Sequence, residues 1–551
     1  MSLTRLRQIV ALGGVAVLLL ADLSLFDDLF FPIRHLWSQG ELLKLFVSIT
    51  LFLWGVLASF LLFFSGRSLL RTITLPLFLF FYLFNIGYFT TASAPLDFQQ
   101  ADIIVRNFRW FVREALENYG LSVLPILFTF IPAVLFTEFL PRLSKLDLPR
   151  ILYLVPISAV VLTTIGLVYT NGMFDRYPSF FRVPSMLAFV GLSSVYDGQR
   201  SKVDYRDPLN AQVEKIVLIV DESIRADILG INGYTTGTTP YLSSVQTGLV
   251  NFGLAAAASN CSDYSNLILR TGVQKGVIPD EDQVTLKVPT IWQFTRKAGY
   301  YNVYIDAQSP AASTTYQNFM NPNEAYFVDD MIRVRQDAAY ESDRVALEKL
   351  AAYLRKPGKT FIMLNKYGIH FPYFRSYPEA FDLYRPALEP GEPMYDRERS
   401  LNSFMSGIRW SVDDWFRTLL AERGAYKPYV IVYTSDHGQN IVDDGTLATH
   451  CRPRATRFEG MVPMMVLSSE KAVLDRFETV RAASHNRTNH FQVFPTLVEL
   501  AGYSEAWVKD HYGPSLYDCP DSAPEFFVGD LHGRGSVRRW VSILPTAPRK
   551  E

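Results

Sequence analysis

A chain of 551 residues in which 49% are hydrophobic and 19% charged is too apolar for an ordinary soluble enzyme and too charged to lie wholly in lipid. A net charge of −1 with no basic stripe gives nucleic acid nothing to bind. The apolar residues are concentrated early. Five stretches of bilayer-spanning length run from Ile9 to Phe26, Leu42 to Phe64, Ile73 to Phe89, Leu121 to Leu140 and Ile151 to Tyr169, and none follows Tyr169. The first lacks the small-residue cleavage site of a signal peptide, holds Asp22 and leads into further spans. Residues 1–170 therefore read as a bundle of five transmembrane helices.

Positive loops stay in the cytoplasm. Arg5, Arg7, Arg67, Arg71, Arg142, Lys145 and Arg150 fall on one side of these spans, whereas Asp27, Asp28, Glu41 and Asp97 fall on the other. Arg106, Arg109 and Arg113 in the long third loop blur that count. An odd number of spans then places the rest of the chain outside the cytoplasm, which in a bacterium with two membranes is the periplasm, leaving a multi-pass inner-membrane protein. Residues 171–214 read as a bridging linker at the headgroup boundary, because Arg176 to Arg182 mixes arginines with aromatics. Phe108-Arg109-Trp110-Phe111 in the third loop has the same character.

From residue 215 to 551, β-branched runs alternate with helical patterns. Val217 to Val220, Tyr301 to Ile305, Thr360 to Leu364, Tyr429 to Thr434 and Met461 to Leu467 are separated by segments such as Asp343 to Arg355 and Ser403 to Glu422. That alternation predicts an α/β domain with a mostly parallel sheet covered by helices. Parallel strands buried on both faces are continuously apolar, and open α/β sheets build their sites beyond the strand carboxyl ends. Two strands here end in ligand-type residues, Asp221-Glu222 and Ser435-Asp436-His437.

Glu222, Asp436 and His437 are hard oxygen and imidazole ligands of the kind zinc accepts, with a coordination position left for substrate. Ser265 is the candidate nucleophile and metal contact. It opens the apolar run Asn266 to Leu269 after the small residues Ala255 to Asn260, so its hydroxyl is expected at the start of a helix, where backbone N–H groups favour a phosphate. Seven of the eight histidines lie in this domain. His370 and His450 are candidates for handling protons or phosphoryl oxygens, whereas His485, His511 and His532 read as structural. An oxidising compartment permits one disulfide among Cys261, Cys451 and Cys519 without saying which pair forms, and three buried thiols are an equal reading. No CxxC spacing points to metal.

Asp221-Glu222-Ser223-Ile224-Arg225-Ala226-Asp227, Asn232-Gly233-Tyr234, Thr239-Pro240-Tyr241-Leu242, Cys261 to Ser265, His370-Phe371-Pro372 and Ser435-Asp436-His437-Gly438, in that order, resemble the phosphoethanolamine transferases of the bacterial envelope. These belong to the alkaline phosphatase/sulfatase superfamily. The resemblance implies five spans with a periplasmic catalytic domain, phosphatidylethanolamine as donor, and lipopolysaccharide or another envelope glycan as acceptor. It implies one zinc ion bound tightly, leaving open a second during turnover, and a covalent intermediate on Ser265. Glu222, Asp436, His437 and Ser265 take the metal positions, and His370 and His450 those near the phosphoryl group. Asn107 and Glu114 match a donor-binding motif loosely, and Asn266 and His490 complete the substrate-binding candidates.

The departures mark a divergent member. In lipid A-modifying relatives the nucleophile is threonine and glycine precedes the glutamate, where this chain has Ser265 and Asp221. Cys261 stands four residues before the nucleophile without its usual close partner. A sulfatase would need x-Pro-x-Arg after the nucleophile, which Asn266 to Leu269 does not supply. The alternatives carried forward are a phosphoglycerol transferase drawing on phosphatidylglycerol and a non-catalytic envelope scaffold. Intact Glu222, Ser265, Asp436 and His437 speak against the scaffold.

Overall fold

The computed structural model describes residues 19–26, 28–64, 69–92, 94–106, 108, 154–313, 316–392, 394–520 and 522–545, with positions 9, 13 and 15–17 ahead of them. The expected span over 121–140 and the candidates Asn107 and Glu114 lie outside these residues. The chain forms two compact units, one comprising Met1–Ser194 with Gly533–Arg538 and the other Val195–His532 with Arg539–Glu551.

The first unit is helical: α1 Phe31–Ser38, α2 Leu42–Phe64, α3 Leu69–Ala92, α4 Phe98–Arg106, α5 Val155–Tyr169 and α6 Ser179–Leu192. Among the described residues one helix, Leu42–Leu61, is long and apolar enough to cross a membrane, and Leu79–Phe89, Val155–Tyr169 and Ser179–Leu192 are shorter apolar helices. Leu43, Phe46 and Leu53 on α2 are exposed, as side chains facing lipid would be. Side-chain hydrogen bonds join these helices, the kind of pairing an apolar medium favours. Trp54 Nε1 donates to Ser158 Oγ at 3.1 Å, and Asn85 Nδ2 donates to Ser179 Oγ at 2.8 Å. The aromatic and basic segment expected in the linker is folded into this unit as α6. Phe180, Phe181 and Arg182 are buried there, and Arg182 Nε donates to the Asp175 carbonyl at 2.8 Å.

The second unit is built on an eight-stranded sheet: β1 Lys215–Asp221, β2 Leu249–Ala256, β3 Tyr301–Pro310, β4 Asp330–Arg335, β5 Thr360–Asn365, β6 Tyr429–Ser435, β7 Met461–Ser468 and β8 Thr488–Asn489. Their order is β4-β3-β5-β1-β6-β7-β2-β8. β1 lies between β5 and β6, parallel to both, with Ile219 opposite Leu364 and Tyr433. β1, β5, β6 and β7 are buried along their whole length, which is why they read as unbroken apolar runs. β7 is antiparallel to β6 and β2; its apolar run carried no information on direction.

The helices that matter to the site are α7 Ser262–Thr271, α8 Ser342–Arg355, α9 Arg397–Gly407, α10 Trp415–Ala421, α11 Lys471–Ser484 and α12 Val493–Leu500. Between α9 and α10 the chain passes through a π-helical segment, Ile408–Asp414. The core fills the sheet faces with residues such as Ile216, Leu218, Val432, Trp292 and Phe494. Because β1 and β6 are adjacent, the residues following them emerge side by side at one sheet edge.

Candidate active site

The hydrogen bonding of the two strand ends determines where their ligand-type side chains point. As β1 ends, Asp221 Oδ1 accepts from the Glu222 N–H at 3.0 Å, and the Ser223 hydroxyl donates to Glu222 Oε1 at 2.7 Å. Ser223 has a φ of +64°, and this left-handed turn brings its N–H to Asp436 Oδ1 at 3.2 Å. Ile224 N–H donates to Ser435 Oγ at 2.9 Å, tying the two loops together. Gly368 closes the floor: a Cβ there would stand 2.4 Å from the Glu222 carbonyl oxygen, so the position admits only glycine.

His437 Nε2 lies 3.3 Å from Glu222 Oε1 and 3.5 Å from Asp436 Oδ2. Its Nδ1 is 2.7 Å from the Gly438 carbonyl, which fixes Nδ1 as the donor and aims Nε2 at the carboxylates. Asp436 Oδ2 is buried and accepts no hydrogen bond from the described residues. Glu222, His437 and His450 also present ligand atoms within 4.8 Å of one another. His450 is held by Gln439 Oε1, 3.0 Å from its Nδ1, while Gln439 Nε2 donates to the Tyr373 hydroxyl at 2.8 Å. Glu222 Oε2 accepts from Gln308 Nε2 at 3.1 Å.

The electrostatics of the cluster call for positive charge. Burial opposes the charge of Glu222, yet His437 holds it below the usual carboxylate range. Burial, and then the charge of Glu222, pushes Asp436 well above its usual range. Burial works against a charged His437, but Asp436 and Glu222 keep its pKa at about 9. Burial and the neighbouring His437 push His450 well below the ordinary histidine value. Two carboxylates and two imidazoles converging, with one carboxylate oxygen lacking any donor among the described residues, is a donor set that fits a divalent cation of the nitrogen- and oxygen-binding kind.

The serine nearest this cluster is not the one expected. α7 begins at Ser262, with Cys261 extended at its cap, and Ser262 Oγ lies 3.1 Å from His437 Nε2. Ser265, one turn further on, is fully buried: its Oγ donates to the Ser259 carbonyl at 3.0 Å and accepts from the Ser259 N–H at 3.1 Å. Both of its bonding directions are used within the α7 entry loop, so it is Ser262 and not Ser265 that the structure places against the cluster. Sequence reasoning missed Ser262 because the helix starts three residues earlier than the apolar run indicates; a small hydroxyl directly after the extended Cys261 was the available signal.

The other candidates divide. His370 is half-buried at the cluster's rim, stacked on Phe371 with ring centroids 4.5 Å apart and 6.0 Å from the His450 ring. Asn266 is buried, donating to the Ser262 carbonyl at 3.0 Å and accepting from Asn365 at 3.1 Å, so it braces α7 against β5 instead of facing a substrate. His490 is corrected in the same way. Its Nδ1 accepts from the Ala258 N–H at 3.1 Å, its Nε2 lies 3.0 Å from Thr434 Oγ1, and burial drops its pKa to about 3. Gln308 and Gln439, which touch Glu222 and His450, carry no ligand signature and were not anticipated.

Behind the cluster lies a fully buried ion pair, with Lys366 Nζ 2.5 Å from Asp221 Oδ2. Lys366 also donates to the carbonyl and hydroxyl of Ser411, in the π-helical segment, at 2.5 and 3.2 Å. The Tyr433 hydroxyl donates to the same Asp221 oxygen at 2.8 Å. Burial raises the Asp221 pKa to about 6 against the pull of Lys366. A bridge joins Cys261 to Cys451, with Cα atoms 4.7 Å apart, and Cys519 is free and exposed.

Among curated proteins, the chain is 27% identical over 314 residues to the Kdo(2)-lipid A phosphoethanolamine 7''-transferase of Escherichia coli K12, covering 55% of this chain and 54% of that protein. It is 24% identical over 391 residues to the phosphatidylethanolamine transferase Mcr-2 of Escherichia coli, covering 62% and 67%. The chain thus spans about half the length of the first relative. In fold it resembles the integral membrane protein lipooligosaccharide phosphoethanolamine transferase A of Neisseria meningitidis, with a TM-score of 0.56 at 17% identity over 88% of this chain and 95% of that one. The C-terminal periplasmic domain of EcEptC from Escherichia coli, in complex with Zn, gives a TM-score of 0.50 at 19% identity, over 63% of this chain and 97% of that one. Residues 214–503, more than half of the chain, match the Sulfatase family, and the chain therefore belongs to that family within the alkaline phosphatase superfamily.

Proposed function

We propose that the protein is a zinc-dependent phosphoethanolamine transferase of the bacterial inner membrane that takes its group from phosphatidylethanolamine through a covalent intermediate on Ser262. The observation that carries this reading is the hydroxyl at the first position of α7, 3.1 Å from a histidine that itself meets two carboxylates. The relatives named as phosphoethanolamine transferases support the choice of group, and the bilayer-length helix in the same chain supports a lipid donor.

Glu222, Asp436 and His437 would hold the zinc ion, which when bound supplies a Lewis acid for the phosphoryl oxygens and lowers the pKa of a nearby hydroxyl. Ser262 Oγ attacks the donor phosphorus: the Oγ–P bond forms, the P–O bond to diacylglycerol breaks, and the serine proton ends on the diacylglycerol oxygen. His370 and His450, at the rim of the cluster, relay that proton. The N-terminus of α7 directs its positive pole at the phosphoryl group. An acceptor hydroxyl, on lipopolysaccharide or another envelope glycan, then attacks the same phosphorus; the Oγ–P bond breaks and Ser262 regains a proton. Gln308 and Gln439 keep Glu222 and His450 in place throughout.

Intact-protein mass spectrometry tests this on the zinc-loaded full chain in detergent with phosphatidylethanolamine. A phosphoethanolamine adduct mapped to Ser262 is expected. Its absence from zinc-bound protein would sink the proposal, and a glycerophosphate adduct formed from phosphatidylglycerol instead would overturn the donor assignment.

A further inference from the structure

We propose that the Cys261–Cys451 bridge is the positioning element of the transfer site, setting Ser262 and His450 in register so that the site is completed only on oxidation. The inference rests on the reading of Ser262 as nucleophile given above. Each cysteine is the immediate chain neighbour of a site residue: Cys261 precedes Ser262 as the extended residue at the start of α7, and Cys451 follows His450. One bond therefore joins the nucleophile's helix to the histidine's loop across 190 residues of sequence.

Asp443 in that loop accepts from Arg225 at 2.6 Å and the Ala448 N–H donates to the Met394 carbonyl at 3.0 Å, but these ties run to other segments and not to α7. Between β6 and β7, residues 440–450 contain no strand or helix, and a single isolated bridge pairs Asn440 with Thr449. His450 is anchored by its bond to Gln439, a residue of the same loop. The ties to α7 converge on the cysteines: Cys451 N–H donates to the Asn260 carbonyl at 3.0 Å, and Asn260 Nδ2 donates to the Arg452 carbonyl at 3.1 Å and to Glu459 Oε2 at 3.0 Å. Cys451 has a φ of +58°, a left-handed conformation that a side-chain-bearing residue keeps only where its surroundings dictate it. The sulfur link to Cys261 is part of those surroundings.

Formation of the bond removes two protons and two electrons from the thiols, which a disulfide-type oxidant accepts by thiol–disulfide exchange; a dithiol reductant reverses it. With the thiols reduced, the hydrogen bonds through Asn260 remain and the fold persists, but the His450 loop loses its covalent tie to α7. Displacements of about 1 Å in a reacting constellation cost about 100-fold in rate, and loss of a residue that orients metal ligands costs about 10-fold or more in metal affinity.

The test uses full-length protein in detergent carrying Cys519→Ser, which prevents reshuffling through the exposed thiol. Oxidised protein, protein reduced with a dithiol, and a Cys261→Ser/Cys451→Ser variant are compared by near-UV circular dichroism, by zinc retained against a chelator, and by the rate of serine adduct formation. The reduced and serine forms are expected to stay folded, to form the adduct about 100-fold more slowly with little change in donor KM, and to hold zinc about 10-fold more weakly. Reoxidation should restore the reduced sample alone. Equal zinc retention and adduct rates in oxidised and reduced protein would overturn the inference. Global unfolding on reduction would also overturn it, by making the bridge a fold staple. If even the oxidised form makes no adduct, the transferase reading has failed, whereas zinc retention still reports on the bridge.

Discussion

Replacing Ser262 and Ser265 separately by alanine separates chemistry from packing on one helix. Ser265 is fully buried and both bonds of its hydroxyl go to the Ser259 backbone, at 3.0 and 3.1 Å. Ser265→Ala leaves a buried N–H and a buried C=O without partners, at about 1–3 kcal/mol each. We expect a loss of about 2–6 kcal/mol, read as a fall of several degrees in the unfolding midpoint. Ser262→Ala gives up one hydrogen bond, to His437, and should cost about 1 kcal/mol or less. Its turnover should fall by at least about 10⁴-fold, because the covalent route is closed. The assay pairs thermal unfolding with mass spectrometry of the phosphoethanolamine adduct at equal zinc occupancy. A folded, zinc-bound Ser265→Ala without the adduct, alongside a Ser262→Ala that forms it, would refute the assignment.

Three further outcomes are expected. Gly368→Ala places a methyl 2.4 Å from the Glu222 carbonyl at a φ of +57°, so zinc measured by competition with a chelating dye should bind about 10-fold or more weakly; unchanged affinity would show that the Glu222 turn tolerates displacement. Zinc at 100 times its Kd should add about 2.7 kcal/mol to stability, and a melting curve indifferent to chelator would contradict the metal reading. Burial pushes Glu499 up to about 8, although Ser515 donates to it at 3.1 Å. Because the folded pKa lies above the unfolded one, its contribution is intact below the unfolded value of 4.5 and is lost as pH rises to about 8; that interval corresponds to about 5 kcal/mol at most. Glu499→Gln should flatten the decline in urea stability between pH 5 and pH 8, and identical slopes in the two proteins would count against it.

The sheet's central strands were legible because burial on both faces leaves continuous runs such as Val217 to Val220 and Tyr429 to Thr434, and the ligand residues follow directly at the strand ends. β2 was not legible. Its run Leu249–Ala256 contains Gly253, and its pairing with β7 shifts register between Asn251 and Leu254. β4 is a half-exposed edge strand rich in charge, with little apolar pattern to read. The site was visible as chemistry but not in its finer placement. Two serines three residues apart on one helix differ only in where the helix begins, and Cys261 at its cap makes no side-chain capping bond. His490 has the right chemistry for a site residue, but packing turns both of its nitrogens inward to Ala258 and Thr434. Gln308 and Gln439 act through hydrogen bonds, which no residue spacing announces.

The buried Lys366–Asp221 pair has a bearing on how such a chain can diverge. Lys366 also lies 3.7 Å from the buried Asp343 carboxylate, so replacing Lys366 alone strands buried carboxylates without their cation, at about 3–5 kcal/mol, directly beneath the turn that presents Glu222. Neutralising positions 221, 343 and 366 together removes the buried charges and avoids that barrier. Position 366 is therefore bound to change with its two acidic partners. A homologue carrying an uncharged residue at 366 should lack the carboxylates at 221 and 343, which gives lineages a structural marker independent of the catalytic residues.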